Sequence, residues 1–208
     1  MNTSELNRPD NDDVAAWHRH FTAVTSWLLI SGDLHPSTHL ARQQLSEWVE
    51  AGVTDIVDAR IEWSDAERVR RWEPQIRYWS LGAHDDGRQQ DQAWFDQGVD
   101  IASAARAAEG RVMVHCHMGI NRGPSMAFAM LLDAGWSAAP ALSAIRAARP
   151  IAAMSYAADA LEAHFVRNSM PAPERRIERE NLERWFQDHP IDEAAAIRRV
   201  REATEGDW

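Results

Sequence analysis

The chain predicts an α/β fold: a single three-layer domain with a central, mostly parallel sheet flanked by helices, and extra C-terminal helices beyond it. Three observations carry this. Short, apolar or β-branched runs (Trp27–Ser31, Val53–Ala59, Ile76–Leu81 and Arg111–His115) alternate with longer segments of helical periodicity. Glycines at 52, 110 and 135 close three of those helical segments. The 208 residues suffice for one domain with its own core.

Residues 1–13 are polar and acidic with almost nothing to bury, so they are expected to be disordered. They carry neither the basic nor the apolar region of a signal peptide. A short helix is expected over Val14–Thr22, then a strand over Trp27–Ser31 ending at Gly32. Thr38–Ala51 reads as a helix that Thr38 can cap, with Leu45, Trp48 and Val49 marking one face. After the strand Val53–Ala59, Ser64-Asp-Ala-Glu67 has the capping-box pattern and opens a short helix. The strand Ile76–Leu81 leads into a polar loop, Gly82–Asp91, whose glycines Gly82 and Gly87 would permit motion. Gln92–Glu109 is a helix with Phe95, Val99, Ala102 and Arg106 at helical spacing. The strand Arg111–His115 follows, then helices over Gly123–Ala134, Ser137–Arg149 and Ser155–Asn168, the last two separated by Pro150. Pro171-Ala-Pro173 marks a boundary, beyond which Glu174–Phe186 and Asp192–Ala203 are charged helices with thin apolar stripes. The expected division is a disordered 1–13, a catalytic domain over 14–170 and a charged helical extension over 171–208.

Composition narrows the function classes. The formal net charge is −10, all 22 basic residues are arginine, and there is one cysteine. Long-range repulsion makes so acidic a chain a poor general binder of nucleic acid. No apolar stretch approaches the roughly 20 residues of a membrane span, the longest lying near Ser125–Leu132. A lone cysteine rules out an internal disulfide and a cysteine zinc knuckle, and fits a reducing compartment, so a soluble cytoplasmic protein is expected. Most of the ten tryptophans are expected in the core and helix–sheet seams, with Trp63, Trp72 and Trp79 as candidates for lining the mouth of a site.

The chemistry concentrates at His115-Cys116-His117-Met118-Gly119-Ile120-Asn121-Arg122, between an expected strand and an expected helix. A loop that curls before a helix aims several backbone N–H groups, and the positive end of the helix dipole, at one point. An anion placed there meets fixed donors. The same field favours the Cys116 thiolate over the thiol. Arg122 closes the loop with a planar fork able to grip two phosphoryl oxygens. Gly119 permits the tight turn, and Asn121 can hydrogen-bond across the loop to hold its curl. With 22 arginines, nine histidines and ten glycines in the chain, chance agreement of His, Cys, Gly and Arg at this spacing is roughly 1 in 5,000.

The segment resembles the H-C-x5-R signature of the cysteine-dependent phosphatases, in particular the dual-specificity branch of the protein-tyrosine phosphatases. The resemblance covers roughly Trp27–Val166 and includes Gly52-Val-Thr-Asp-Ile-Val57, Tyr78–Asp86, Val112–Ser125, Gly135-Trp-Ser137 and Arg149-Pro150. It implies hydrolysis of phosphate monoesters, of phosphotyrosine and of phosphoserine or phosphothreonine in proteins, with no cofactor and no metal. Cys116 would be the nucleophile. Arg122 and the loop amides from His117, Met118, Gly119, Ile120 and Asn121 would bind the phosphoryl group. His115 and Ser125 would support the loop, and His117 would shape the mouth. The family pattern places the general acid at Asp85; Asp86 and Asp91 are the alternatives. The implied partner is a phosphorylated protein or a small phosphate monoester, with no membrane partner.

Two departures stand out. Gly123 occupies the position after the arginine, where the family usually has Ser or Thr to assist departure of the thiolate. This leads us to expect slow hydrolysis of the phosphocysteine relative to its formation. No Asn occurs in Ile151–Tyr156, where the family often has one. Three other readings compete: a phospho-binding module with little turnover, motivated by Gly123; a metal site using His115, His117, His84 and Asp85, disfavoured because there is no helical His pair or second Cys; and an RNA 5′-triphosphatase-like enzyme, suggested by Gly119-Ile-Asn-Arg122 and disfavoured by the net charge.

Overall fold

The computed structural model describes residues 9–11 and 13–204; the disorder expected over residues 1–8 and at 12 lies outside them. The strands are β1 (Thr22–Ala23), β2 (Leu28–Ser31), β3 (Val53–Arg60), β4 (Arg77–Ala83) and β5 (Arg111–His115). The helices are α1 (Thr38–Glu50), α2 (Ala66–Trp72), α3 (Gln92–Ala107), α4 (Arg122–Asp133), α5 (Ala138–Ala148), α6 (Ala157–Arg167), α7 (Ala172–Asp188) and α8 (Glu193–Thr204).

The sheet order is β1-β2-β5-β3-β4. Strands β2, β5, β3 and β4 are parallel neighbours, and β1 pairs antiparallel with β2 at the edge. Side chains alternate across the sheet as the pleat requires. Leu28, Ile30, Val57, Ala59, Val112 and Val114 face the cluster built with α3, α4, α5 and α6. Leu29, Ile56 and Met113 face Ala41, Leu45 and Trp48 of α1 and Val69 of α2. The result is the expected three-layer α/β domain. All four parallel strands point the same way, so their carboxyl ends present their loops at one edge, where open α/β sheets bind ligands.

Four local expectations are corrected. Residues 14–19 form turns, not a helix, and β1 follows. The backbone carbonyls of Trp17, His18 and His20 accept from the Arg149 guanidinium, bonds that an intact helix would have kept for itself. Thr38 lies inside α1; Ser37 precedes the helix, and it makes no side-chain cap bond. The capping box does not form, because Asp65 sits at the N-cap of α2 and its carboxylate is drawn to Arg60. Gly82 is a strand residue, not a hinge: a Cβ there would lie 2.6 Å from the Arg60 carbonyl oxygen.

The C-terminal helices dock. Leu182 and Trp185 of α7 enter the main core, and the Trp185 indole N–H donates to Ser143 Oγ at 2.8 Å. Ala196 and Val200 of α8 pack with Trp17, Met118, Ile120, Ile151 and Ala153. Trp17, Trp48 and Trp94 are buried as expected, whereas Trp63, Trp79 and Trp136 are exposed. No helix among the described residues is long and apolar enough to cross a membrane.

A buried ion-pair network anchors the end of β3. Arg60 donates to both Asp58 oxygens at 2.8 Å and to Asp65 at 2.6 Å, and the Tyr78 hydroxyl donates to Asp58 at 2.5 Å. Burial alone would raise the Asp58 carboxyl, but His115 and Arg60 more than offset this and hold it below the ordinary range. A depressed carboxylate stabilises the fold above its unfolded pKa of about 4 and loses that contribution as pH falls through the folded value. Asp58→Ala leaves much of the buried Arg60 charge uncompensated. It is expected to cost about 3–5 kcal/mol at neutral pH, read from urea unfolding, and the loss should shrink in acid.

Candidate active site

Cys116 lies directly after β5, at the centre of the carboxyl-end edge, and is 2% exposed. The loop from Cys116 to Asn121 leads into α4, which begins at Arg122. Its curl follows from where its carbonyls go. The His117 carbonyl accepts from Asp33 N–H at 3.0 Å and lies 3.0 Å from His18 Nε2. The Met118 and Gly119 carbonyls accept from Arg149, and the Ile120 carbonyl from the N–H groups of Ala153 and Met154. In a planar trans peptide the C=O and the next N–H point oppositely. Four carbonyls held outward therefore turn the N–H groups of Met118, Gly119, Ile120 and Asn121 inward, toward the cysteine and the start of α4. Gly119 has φ +64°, and a Cβ there would lie 2.3 Å from Arg149 Nη2, so both conformation and space require glycine. A Cβ at Gly123 would lie 3.3 Å from Cys116 N, so α4 starts close against the loop's entrance.

Three carboxylates converge on this loop, each two residues beyond the end of a parallel strand. Asp33 follows β2, Glu62 follows β3 and Asp85 follows β4. Glu62 grips Arg122 in a two-pronged pair: Nη1 and Nη2 each donate to one carboxylate oxygen at 2.8 Å. Nη1 also donates to the Ala83 carbonyl at 2.8 Å. Three of the five guanidinium N–H groups are thereby held, leaving Nε–H and one Nη2–H as a side-on fork. Asp85 Oδ2 stands 3.2 Å from Nε. Asp85 Oδ1 accepts from Asn121 Nδ2 at 2.8 Å and from the Tyr156 hydroxyl at 2.9 Å. Asp86 turns outward to the Arg88 N–H, and Asp91 caps α3 through the Ala93 N–H. Of the three candidate acids, only Asp85 reaches the loop.

The sequence profile of the dual specificity phosphatase catalytic domain matches residues 44–161. This chain belongs to that family. The matched stretch contains the loop, Arg122 and Asp85. Dual specificity protein phosphatase 1 of Homo sapiens is 26% identical over 94 residues, 45% of this chain and 24% of its own length. Dual specificity protein phosphatase 1-B of Xenopus laevis matches to the same extent. The match thus spans about a quarter of each of these relatives. Among solved structures, PTPMT1 in complex with PI(5)P has a TM-score of 0.59 at 19% identity, covering 72% of this chain and 97% of that one. Human DUSP28 has a TM-score of 0.59 at 19% identity, covering 71% of this chain and 95% of that one. At these identities the two show that the fold is shared.

Within this dual specificity phosphatase domain the remaining loop residues take definite places. Met118 and Ile120 direct their side chains into the small core under α8, so they present only backbone to the site. Asn121 does not bridge the loop internally. Its Oδ1 accepts from Ser155 N–H at 2.6 Å while its Nδ2 donates to Asp85, so it ties the acid to the segment after α5. This supplies from the loop side a contact to the segment that lacks asparagine. Ser125 Oγ accepts from Tyr156 N–H at 3.2 Å, a place behind α4. His115 is fully buried, packs on Trp48 and Tyr78 and lies 3.8 Å from Asp58; burial lowers its pKa against the opposing pull of Asp58.

His115 and His117 do not share a metal-ligand geometry. His117 Nδ1 instead lies 2.8 Å from Asp33, whose other oxygen is 3.2 Å from His18 Nε2. These three carry metal-ligating atoms close together. Arg19 at 3.4 Å and Arg60 at 3.7 Å already bring positive charge to the same carboxylate, which disfavours a cation there. Burial would raise Asp33, and the hydrogen bonds from His117 and His18 hold it far below the usual carboxylate range. The exposed Trp63 indole packs edge-on against His117, centroids 5.0 Å apart. Glu62, Asp33 and Tyr156 were missed from the sequence. The legible signal for the two acids was their place just past a strand end.

Proposed function

We propose that this chain hydrolyses phosphate monoesters of phosphorylated protein side chains through a phosphocysteine. The observation that carries this reading is the convergence on one point of Cys116, the inward amides, the side-on fork of Arg122 and the Asp85 carboxyl that faces this fork. The Cys116 thiolate attacks phosphorus, and the P–O bond to the leaving group breaks. Asp85 gives its proton to the departing oxygen, since an alkoxide leaves poorly without one. Asn121 and Tyr156 bind Oδ1, while Oδ2 faces Arg122 Nε at 3.2 Å; once substrate oxygens take that N–H, Oδ2 is released as the oxygen that carries the proton. Arg122 Nε–H and Nη2–H and the amides of the loop hold the equatorial oxygens. The Asp85 carboxylate then takes a proton from water as water attacks phosphorus, and the Cys116–P bond breaks, releasing phosphate and thiolate. Tyr156, whose hydroxyl pKa burial pushes up to about 12, stays a donor to Asp85 throughout. Trp63, at the edge of the loop, gives an aryl leaving group an apolar wall.

A substrate series tests both the activity and the acid. Phosphate release is measured from a nitrophenyl ester, phosphotyrosine and phosphoserine peptides, nucleotides and phosphoinositides. Asp85→Asn is expected to lower kcat by about 10²–10⁴-fold on alkyl esters and far less on the nitrophenyl ester, whose leaving group needs little protonation. Asp86→Asn should match the wild type. An Asp85→Asn loss that is equal on all leaving groups would refute its role as acid. No release from any substrate would replace the hydrolase reading with that of a binding module.

A further inference from the structure

The Arg149 guanidinium is fully buried. Its hydrogen bonds go to backbone carbonyls alone: Nε to Gly119 at 2.5 Å, Nη1 to His20 at 2.8 Å, and Nη2 to Trp17 at 2.8 Å, Met118 at 3.0 Å and His18 at 3.1 Å. Among the described residues no carboxylate pairs with it. A buried cation without a counter-ion is costly, and burial pulls this guanidinium down to about 10, with the Cys116 sulfur the group that opposes the fall. Arg149 holds the carbonyl side of the peptide units whose N–H groups turn toward the anion site.

We propose that Arg149 is a positioning residue for the anion site: it holds the Met118 and Gly119 carbonyls away from the site, thereby aiming the Gly119 and Ile120 amides into it. The same guanidinium fastens the N-terminal turn of Trp17, His18 and His20 to the loop, so that segment becomes part of the catalytic scaffold. This explains why residues 14–19 give up a helix and why position 119 admits only glycine. The inference rests on the reading of Cys116 as a thiolate nucleophile under an anion.

Arg149→Lys and Arg149→Met separate charge from fork. Lysine keeps the cation but cannot span both loop carbonyls and the N-terminal turn. Vanadate binding, followed by calorimetry, is expected to weaken at least tenfold in both variants. Carbamidomethylation of Cys116, the sole thiol, at a fixed neutral pH is expected to slow at least threefold in both variants, since the amides that would stabilise its thiolate lose their aim. Cooperative melting and far-ultraviolet circular dichroism report folding. Folded variants with wild-type vanadate affinity and wild-type alkylation rates would overturn the proposal. Should Arg149→Met fail to fold, unchanged vanadate affinity in Arg149→Lys overturns it alone. Neither readout needs turnover, so a silent substrate panel, which would refute the hydrolase reading, leaves this test intact.

Discussion

Cys116→Ser is expected to reduce phosphate release to background, a loss on the order of 10⁴–10⁶-fold in kcat. A serine hydroxyl is not ionised at neutral pH, and in the first step the site offers it no base, because Asp85 enters that step protonated, as the acid. His115, the adjacent imidazole, is turned into the core beside Asp58, and Asp85 is committed to Asn121, Tyr156 and Arg122. The inward amides and the Arg122 fork are untouched, so calorimetric tungstate binding should stay within a few-fold of the wild type. That separates a lost nucleophile from a lost fold. In the wild type, rapid quenching in acid should trap phosphate on Cys116, with a burst of leaving group ahead of slower turnover, because Gly123 supplies no hydroxyl to the departing thiolate. Gly123→Ser, with Cβ only 3.3 Å from Cys116 N, is expected to shrink the burst by raising the steady rate. Turnover that survives in Cys116→Ser would refute the phosphocysteine route; a burst unchanged in Gly123→Ser would refute the role of that hydroxyl.

Arg122→Lys is expected to lower kcat/KM by about 10³-fold, although the charge is retained. The guanidinium works here through its shape. One edge is fixed by Glu62 and the Ala83 carbonyl, and the side-on edge presents two parallel donors to two phosphoryl oxygens. An ammonium cannot do both. Glu62→Gln should be milder, about tenfold in kcat/KM, since Gln still accepts one bond and the Ala83 carbonyl remains. Steady-state kinetics on the nitrophenyl ester distinguish the cases, and an Arg122→Lys enzyme within tenfold of the wild type would show that charge alone suffices. Burial favours the neutral form of Arg122, and the Glu62 carboxylate more than offsets this, keeping the guanidinium protonated.

Legibility followed the range of the interactions. Helices such as α3 and α4 and strands such as β3 and β5 were readable because apolar periodicity reports which face is buried. The loop from Cys116 to Arg122 was readable because nucleophile, turn glycine and arginine fall within seven consecutive residues. The two-residue β1 was not, since only its pairing with β2 makes it a strand. The Ser64 capping box was legible but wrong, because a buried Arg60 outbid the helix for Asp65.

The sequence by itself determined an α/β domain, a single nucleophile candidate and the arginine that closes its loop. Only the tertiary structure decided that Glu62 sets the Arg122 fork, that Asp85 and not Asp86 reaches it, that Asn121 and Tyr156 hold that acid, and that Arg149 holds the loop's carbonyls. The reason is the order β2-β5-β3-β4. It brings together the ends of four strands that are tens of residues apart in the chain, and no local periodicity records which strand lies beside which.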